Sequence, residues 1–153
     1  MTVCDACSLS AERTSSRTLA ATVTGIAVVT DLVSKWLAWT TDGSVPLVSP
    51  TTNEELALGV ASFDVGLGWL LLIGGLALAL LGHAAVLSQR STLAAVGFGL
   101  LFGGILGNLI DRLATGGVHD WLDLGLAIAN LADFYIVFGL GWYVVAAWNA
   151  VGD

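Results

Sequence analysis

Charge is scarce in this chain of 153 residues: 11% are Asp, Glu, Lys or Arg, where soluble domains carry about 25%. Lys and Arg number 5 against 12 Asp and Glu, a net charge of −7. Five scattered cations do not make the clustered basic surface that a phosphate backbone requires, which excludes a nucleic-acid binder. Cysteine is nearly absent too. Cys4 and Cys7 cannot build a disulfide framework, and their spacing is only half of a zinc-ligand pattern, so they read as reduced thiols. Proline occurs twice, at Pro46 and Pro50, both in one connection. So apolar a composition also excludes a disordered chain and an ordinary soluble enzyme.

What is present is apolar and arranged in long runs. Hydrophobic residues make up 56% and the mean hydropathy is +0.87. No charged residue occurs from Val65 to Gln89, from Ser91 to Ile110, or from Phe134 to Gly152. A helix rising about 1.5 Å per residue crosses a hydrocarbon core of about 30 Å in about 20 residues. The runs predict spans over Val65–Leu87, Thr92–Ile110 and Leu131–Trp148. A further span, Thr18–Trp39, carries Asp31 and Lys35 towards its end. It lacks a small-residue cleavage site after a short apolar core, so it reads as a retained helix and not a signal peptide.

The expected fold is an all-α membrane protein, a four-transmembrane-helix bundle with a small β-rich extracytoplasmic element from residues 40–64. Residues 1–17 would be a cytoplasmic N-terminal tail and 18–150 a single domain. Arg13, Arg17 and Arg90 fall on one side of the bundle, Lys35 and Arg112 on the other. That excess favours both termini in the cytoplasm. The connections 40–64 and 111–130 would then face outward. Gly99, Gly103 and Gly107 form a groove of small residues that lets a neighbouring helix approach closely. The six tryptophans read as a membrane belt.

Polar and ionisable groups at membrane depth are costly and need a reason. Here they collect at one end of the bundle: Asp31, Lys35, Asn108, Asp111, Arg112, Asp120, Asp123, Asn130 and Asp133. Asn108, Asp111 and Arg112 share a helix face by their i, i+3, i+4 spacing, as do Asn130 and Asp133. Two carboxyls brought close do not both ionise easily, so one serves as acid and the other as base. Such a pair activates water and protonates a leaving amine, as in aspartic proteases. The same carboxylates could serve an ion-coupled carrier, against which stand the missing repeat and the clustering at one face. His83 lies on the opposite side, near the cytoplasmic end of its span, His119 has no nucleophile beside it, and no metal-ligand spacing is present. Taken plainly, Asp31–Lys35 is an i, i+4 ion pair, Asp111 an end-of-helix charge, and Asp123 and His119 solvated loop residues.

Gly-Asn-Leu-Ile-Asp-Arg (107–112), Gly-Val-His-Asp-Trp-Leu-Asp (117–123) and Asn-Leu-Ala-Asp (130–133) together resemble the motifs of the lipoprotein signal peptidases, signal peptidase II. Asp31-Leu-Val-Ser-Lys35 and Asn53-Glu-Glu-Leu-Ala-Leu-Gly59 are similar to that family's first-helix motif and outer N-x-G-x-A-F-G segment. The resemblance covers about residues 20–148. It implies an intramembrane aspartyl endopeptidase without metal or cofactor. Such an enzyme removes signal peptides from diacylglyceryl-modified prolipoproteins, cutting before the lipidated cysteine. By motif position Asp120 and Asp133 are the catalytic pair. Asn108, Arg112, Asn130 and Asn53 match substrate-binding positions, and Asp31, Lys35 and Asp111 supporting ones. The implied partners are lipidated precursors and membrane lipid, the expected state is a monomer, and the expected place is the bacterial cytoplasmic membrane with the site at its outer face. The chain departs from the family pattern at Glu55, Leu58 and Ala129, and the 13-residue step from Asp120 to Asp133 is short for the family. These departures motivate an alternative, a relative that binds lipidated precursors without cutting them.

Overall fold

The computed structural model describes residues 3–41, 45–53, 72, 74–76, 78–79, 82 and 91–152. Its elements are α1 (Val3–Thr40), β1 (Val48–Asn53), α2 (the described helical residues within 72–82), α3 (Thr92–Thr115), β2 (Val118–Asp123), β3 (Ile128–Ala129) and α4 (Leu131–Gly152). The result is a helical bundle carrying a small three-stranded sheet. Ser15–Thr40 and Thr92–Thr115, with mean hydropathies of 1.3 and 2.0, are long and apolar enough to cross a membrane. The apolar part of α4, Leu131–Ala146, is shorter. Most of the span expected over Val65–Leu87 lies outside the described residues, as do Glu55, Leu58, Trp69, His83 and the side chains of Cys4 and Cys7.

Two boundaries differ from the sequence reading. The polar segment 1–17 is helical from Val3. Once a helix has formed, each added residue contributes a backbone bond without a new nucleation cost. At the other end, α3 runs past Ile110 to Thr115. It stops at Gly116, whose φ of 85° is the left-handed conformation that glycine adopts without strain, and whose N–H reaches the carbonyl of Arg112. Gly117 then passes so close to β1 that a Cβ there would sit 2.7 Å from Thr52 Cγ2.

The β-rich element draws on both connections and not on residues 40–64 alone. The strand order is β1-β2-β3, antiparallel throughout, with Asn53 opposite Val118 and Leu122 opposite Ala129. The second connection joins through 118–123, whose burial alternates over Val118–Asp120, with Val118 and Asp120 on the buried face. The register of β1 on β2 shifts between Val48 and Thr51, where Pro50 lacks the N–H that an unbroken ladder would use.

Glycines set how closely the helices approach. On one face of α3, a Cβ at Gly99 would lie 2.7 Å from Val23 Cβ, at Gly103 2.6 Å from Ala27 Cβ, and at Gly107 2.6 Å from Asp31 Oδ2. This is the groove expected from the sequence, filled by α1. A second face, not anticipated, carries Gly97 and Gly104 against α4, where Gly139 packs in return on the backbone of Leu101. Thr24 Oγ1 donates to the Gly99 carbonyl at 3.2 Å, and Thr30 meets Tyr135 at 2.9 Å, tying α1 to α3 and α4.

A side chain at Gly103 is therefore expected to force α1 and α3 apart. Overpacking of this kind costs about 1–3 kcal/mol, so Gly103→Val should melt well below the parent in detergent. Gly141→Ala, with nothing among the described residues within 4 Å of its Cβ, should melt at or slightly above it. Thermal unfolding of both variants checks the pair, and a Gly103→Val protein as stable as the parent would contradict the contact.

Candidate active site

The site forms where the sheet meets the ends of α1 and α3 and the start of α4. Asn130 immediately precedes α4 and Asp133 lies in its first turn. The Asn130 side-chain oxygen accepts the Asp133 N–H at 3.1 Å, and Asp133 Oδ2 accepts the Asn130 N–H at 3.1 Å. This is a reciprocal capping box, so the spacing that starts the helix also holds the Asp133 carboxylate. With its oxygen committed, the Asn130 amide turns its nitrogen outward and donates to Asp120 Oδ1 at 2.5 Å. Asn53, at the end of β1, donates from Nδ2 to Asp120 Oδ2 at 3.0 Å. Asp120 on β2 is thus bonded at both oxygens and is buried, 3% exposed. Asp133 is half-buried, receives Asn108 Nδ2 on Oδ1 at 3.2 Å, and feels the charge of Asp120.

Behind this pair lies a second set of charges. Lys35 is 4% exposed and donates to Asn108 Oδ1 at 2.8 Å. It also pairs with Asp31 Oδ2 at 2.9 Å and Asp111 Oδ2 at 3.3 Å. An ammonium donates only, so its partner on Asn108 must be the oxygen, which leaves the amide nitrogen for Asp133. The other oxygen of Asp31 accepts the Ala132 N–H at 2.9 Å, bracing the start of α4 from α1. Asp111 accepts the backbone N–H of His119 at 2.7 Å and meets its ring Nδ1 at 2.6 Å.

The structure thus joins Asp31, Lys35, Asn53, Asn108, Asp111, Asp120, Asn130 and Asp133 in one network. Arg112 sits half-buried one position beyond Asp111 on α3. Two readings change. His119 is not a solvated loop residue: it lies in β2, bonded to Asp111 and packed edge-on against Trp39, ring centroids 4.3 Å apart. Asp123 ends β2, is half-buried, and accepts the Gly125 N–H at 2.7 Å, so it shapes the hairpin turn. The sequence signal for His119 was its distance from Asp111, eight residues bridged by a Gly-Gly reversal. Trp36 and Trp148 are largely exposed on the bundle surface, at 65% and 80%.

Two aspartates joined through one amide, at the end of an apolar helical bundle, are the groups that an aspartic-peptidase type of chemistry needs. Residues 23–149 match the profile of the family described as "Signal peptidase (SPase) II". A lipoprotein signal peptidase of Thermosynechococcus vestitus is 34% identical over 83% of this chain and 89% of its own length. One from Leifsonia xyli subsp. xyli is 38% identical over 60% of this chain, a match that spans 47%, about half, of that relative. A bacterial membrane enzyme solved in meso at 2.3 Å resolution superposes with a TM-score of 0.73 at 25% identity, over 86% of this chain and 88% of that one. The chain belongs to the signal peptidase II family, a family of aspartic endopeptidases.

The hub at Lys35 generates a stability prediction. Removing one partner of a buried ionic cluster costs about 3–5 kcal/mol, because the remaining charge is left uncompensated. Lys35→Met is therefore expected to melt far below the parent. Asp31→Asn combined with Lys35→Met removes a charge of each sign and keeps an acceptor for Ala132, so it should recover part of the loss. Melting curves in detergent test both, and no difference between single and double variant would contradict the pairing.

Proposed function

We propose that this chain hydrolyses the peptide bond preceding a diacylglyceryl-modified cysteine in lipoprotein precursors, and that Asp120 and Asp133 perform the reaction. One carboxylate takes a proton from a water held between them. The water oxygen bonds to the scissile carbonyl carbon. The other carboxyl, protonated, gives its proton to the departing nitrogen as the C–N bond breaks, which releases the signal peptide and the amino group of the lipidated cysteine. The observation that carries this reading is the Asn130 amide, which accepts from the backbone of Asp133 and donates to the carboxylate of Asp120. It gives the two acids a fixed relation and so prepares a shared water.

The asparagines take a broader part than substrate contact. Asn53, Asn108 and Asn130 each give a hydrogen bond to one of the two carboxylates, which makes them positioning residues. An amide nitrogen carries two hydrogens, so Asn108 and Asn130 can also donate to a peptide. Arg112 would meet the substrate from α3. Asp31, Lys35 and Asp111 hold the frame. The chain crosses the bacterial cytoplasmic membrane four times as a monomer, both termini inside, and the polar end of the bundle faces outward. At that interface a diacylglyceryl group stays in lipid while the peptide bond reaches the carboxylates.

A gel-shift cleavage assay in detergent tests the reading, with one precursor offered with and without its diacylglyceryl group. Cleavage of the lipidated form alone is expected. Acid–base catalysis by positioned groups is worth about 10²–10⁴-fold, so Asp120→Asn and Asp133→Asn should each lose at least that much while remaining folded. Turnover near the parent level in either variant would remove that residue from the pair. A folded parent that binds the lipidated precursor and leaves it whole would point to a non-catalytic relative.

A further inference from the structure

On the flank of α1 turned away from Thr30 and α4, α1 and α3 leave an open groove of about 520 Å³. Among the described residues its walls are apolar but for Thr24 and Arg17, and include Ala21 and Val28 of α1 and Phe102, Leu106 and Ile110 of α3. One end carries a charge: Arg17, exposed, lines the groove at the first turn of the apolar part of α1.

Three features point to the same occupant. The first is charge. A guanidinium at the end of an apolar slot between helices, at headgroup level, complements a phosphate whose attached chain is hydrocarbon. The second is length. Along α1 the lining runs from Arg17 to Val29, 12 rises of about 1.5 Å or about 18 Å, and along α3 it continues to Ile110. One leaflet of a hydrocarbon core about 30 Å thick is about 15 Å deep. The third is Gly25, which lines the groove in mid-helix and has nothing described within 4 Å of where a Cβ would stand. The glycines at 99, 103 and 107 let helices touch, whereas Gly25 weakens its helix for no such contact and keeps the slot open.

We propose that this groove binds one anionic phospholipid, its phosphate on Arg17 and one acyl chain lying past Gly25 between α1 and α3. The site is separate from the carboxylates: Arg17 and Lys35 are 18 positions apart on one helix, about 27 Å. The lipid therefore belongs to the leaflet remote from the carboxylate network. The proposal rests on α1 and α3 being membrane spans and is independent of which residues catalyse.

Native mass spectrometry of the full chain in detergent, with phosphatidylglycerol or phosphatidylcholine of the same acyl chains added, tests it. One phosphatidylglycerol should be retained per chain, with a preference of about fivefold, the worth of one cation beside an anionic headgroup. Arg17→Gln should reduce retention to the phosphatidylcholine level, and Gly25→Leu, which fills the slot, should lose both lipids. Neither residue belongs to the carboxylate network, so precursor cleavage and circular dichroism report folding separately. Because Arg17 is exposed, Arg17→Gln decides the question even if Gly25→Leu fails to fold. Equal retention of the two lipids by the parent, or undiminished phosphatidylglycerol on Arg17→Gln, would overturn the proposal. So would a parent dimer that Gly25→Leu abolishes, since a second copy would then occupy the groove.

Discussion

A buried ammonium between two buried carboxylates is the interaction on which the rest of this molecule depends. Lys35 balances Asp31 and Asp111 and orients Asn108. Through these partners it joins α1 to α3, to the sheet by way of His119, and to α4 by way of Ala132. In a low-dielectric setting none of these charges is tolerable alone. The cost of leaving any one unpaired is what makes the four elements meet in one arrangement.

The arrangement needs close helices, and close helices need absent side chains. Gly107 is the clearest instance: its missing Cβ is where Asp31 Oδ2 comes within reach of Lys35. Higher in the same stripe, Gly103 and Gly99 bring α1 near enough for Thr24 to bond across. A second face of α3 accepts α4 in the same way, which fixes the height of Asn130 and Asp133 relative to Asn108. Packing and polar satisfaction are one design here, since a displacement of either neighbour would break bonds at the site.

The site and the groove divide the bundle by polarity. At one end, amides and carboxylates satisfy each other within a sheet that brings two separate connections together. Towards the other, a groove beside the α1–α3 contact has largely apolar walls, with Arg17 the cation among its described lining residues. One end suits a peptide beside lipid, the other a lipid alone.

Much of this was legible in the chain. Uncharged runs marked α3 and α4, because burying unpaired charge in hydrocarbon is prohibitive and the pattern must avoid it. The four-residue glycine spacing marked a close helix approach, though not that α1 makes it, and the i, i+3 spacing of Asn130 and Asp133 put them on one face. Local periodicity carries such information because a helix determines which of its own residues are neighbours. It does not determine neighbours across elements. That Asn53 and Asn130 would grip opposite oxygens of Asp120, that His119 would bond to Asp111 rather than stand in solvent, and that residues 118–129 would form strands all depend on contacts between distant segments. The sequence by itself determined the apolar helical stretches within α1, α3 and α4, and the polar end that Asp31, Lys35, Asn108, Asp111, Asp120, Asn130 and Asp133 form. Only the tertiary structure decided which carboxylate met which amide, because hydrogen-bond pairing is a matter of angstroms between elements whose separation no local pattern encodes.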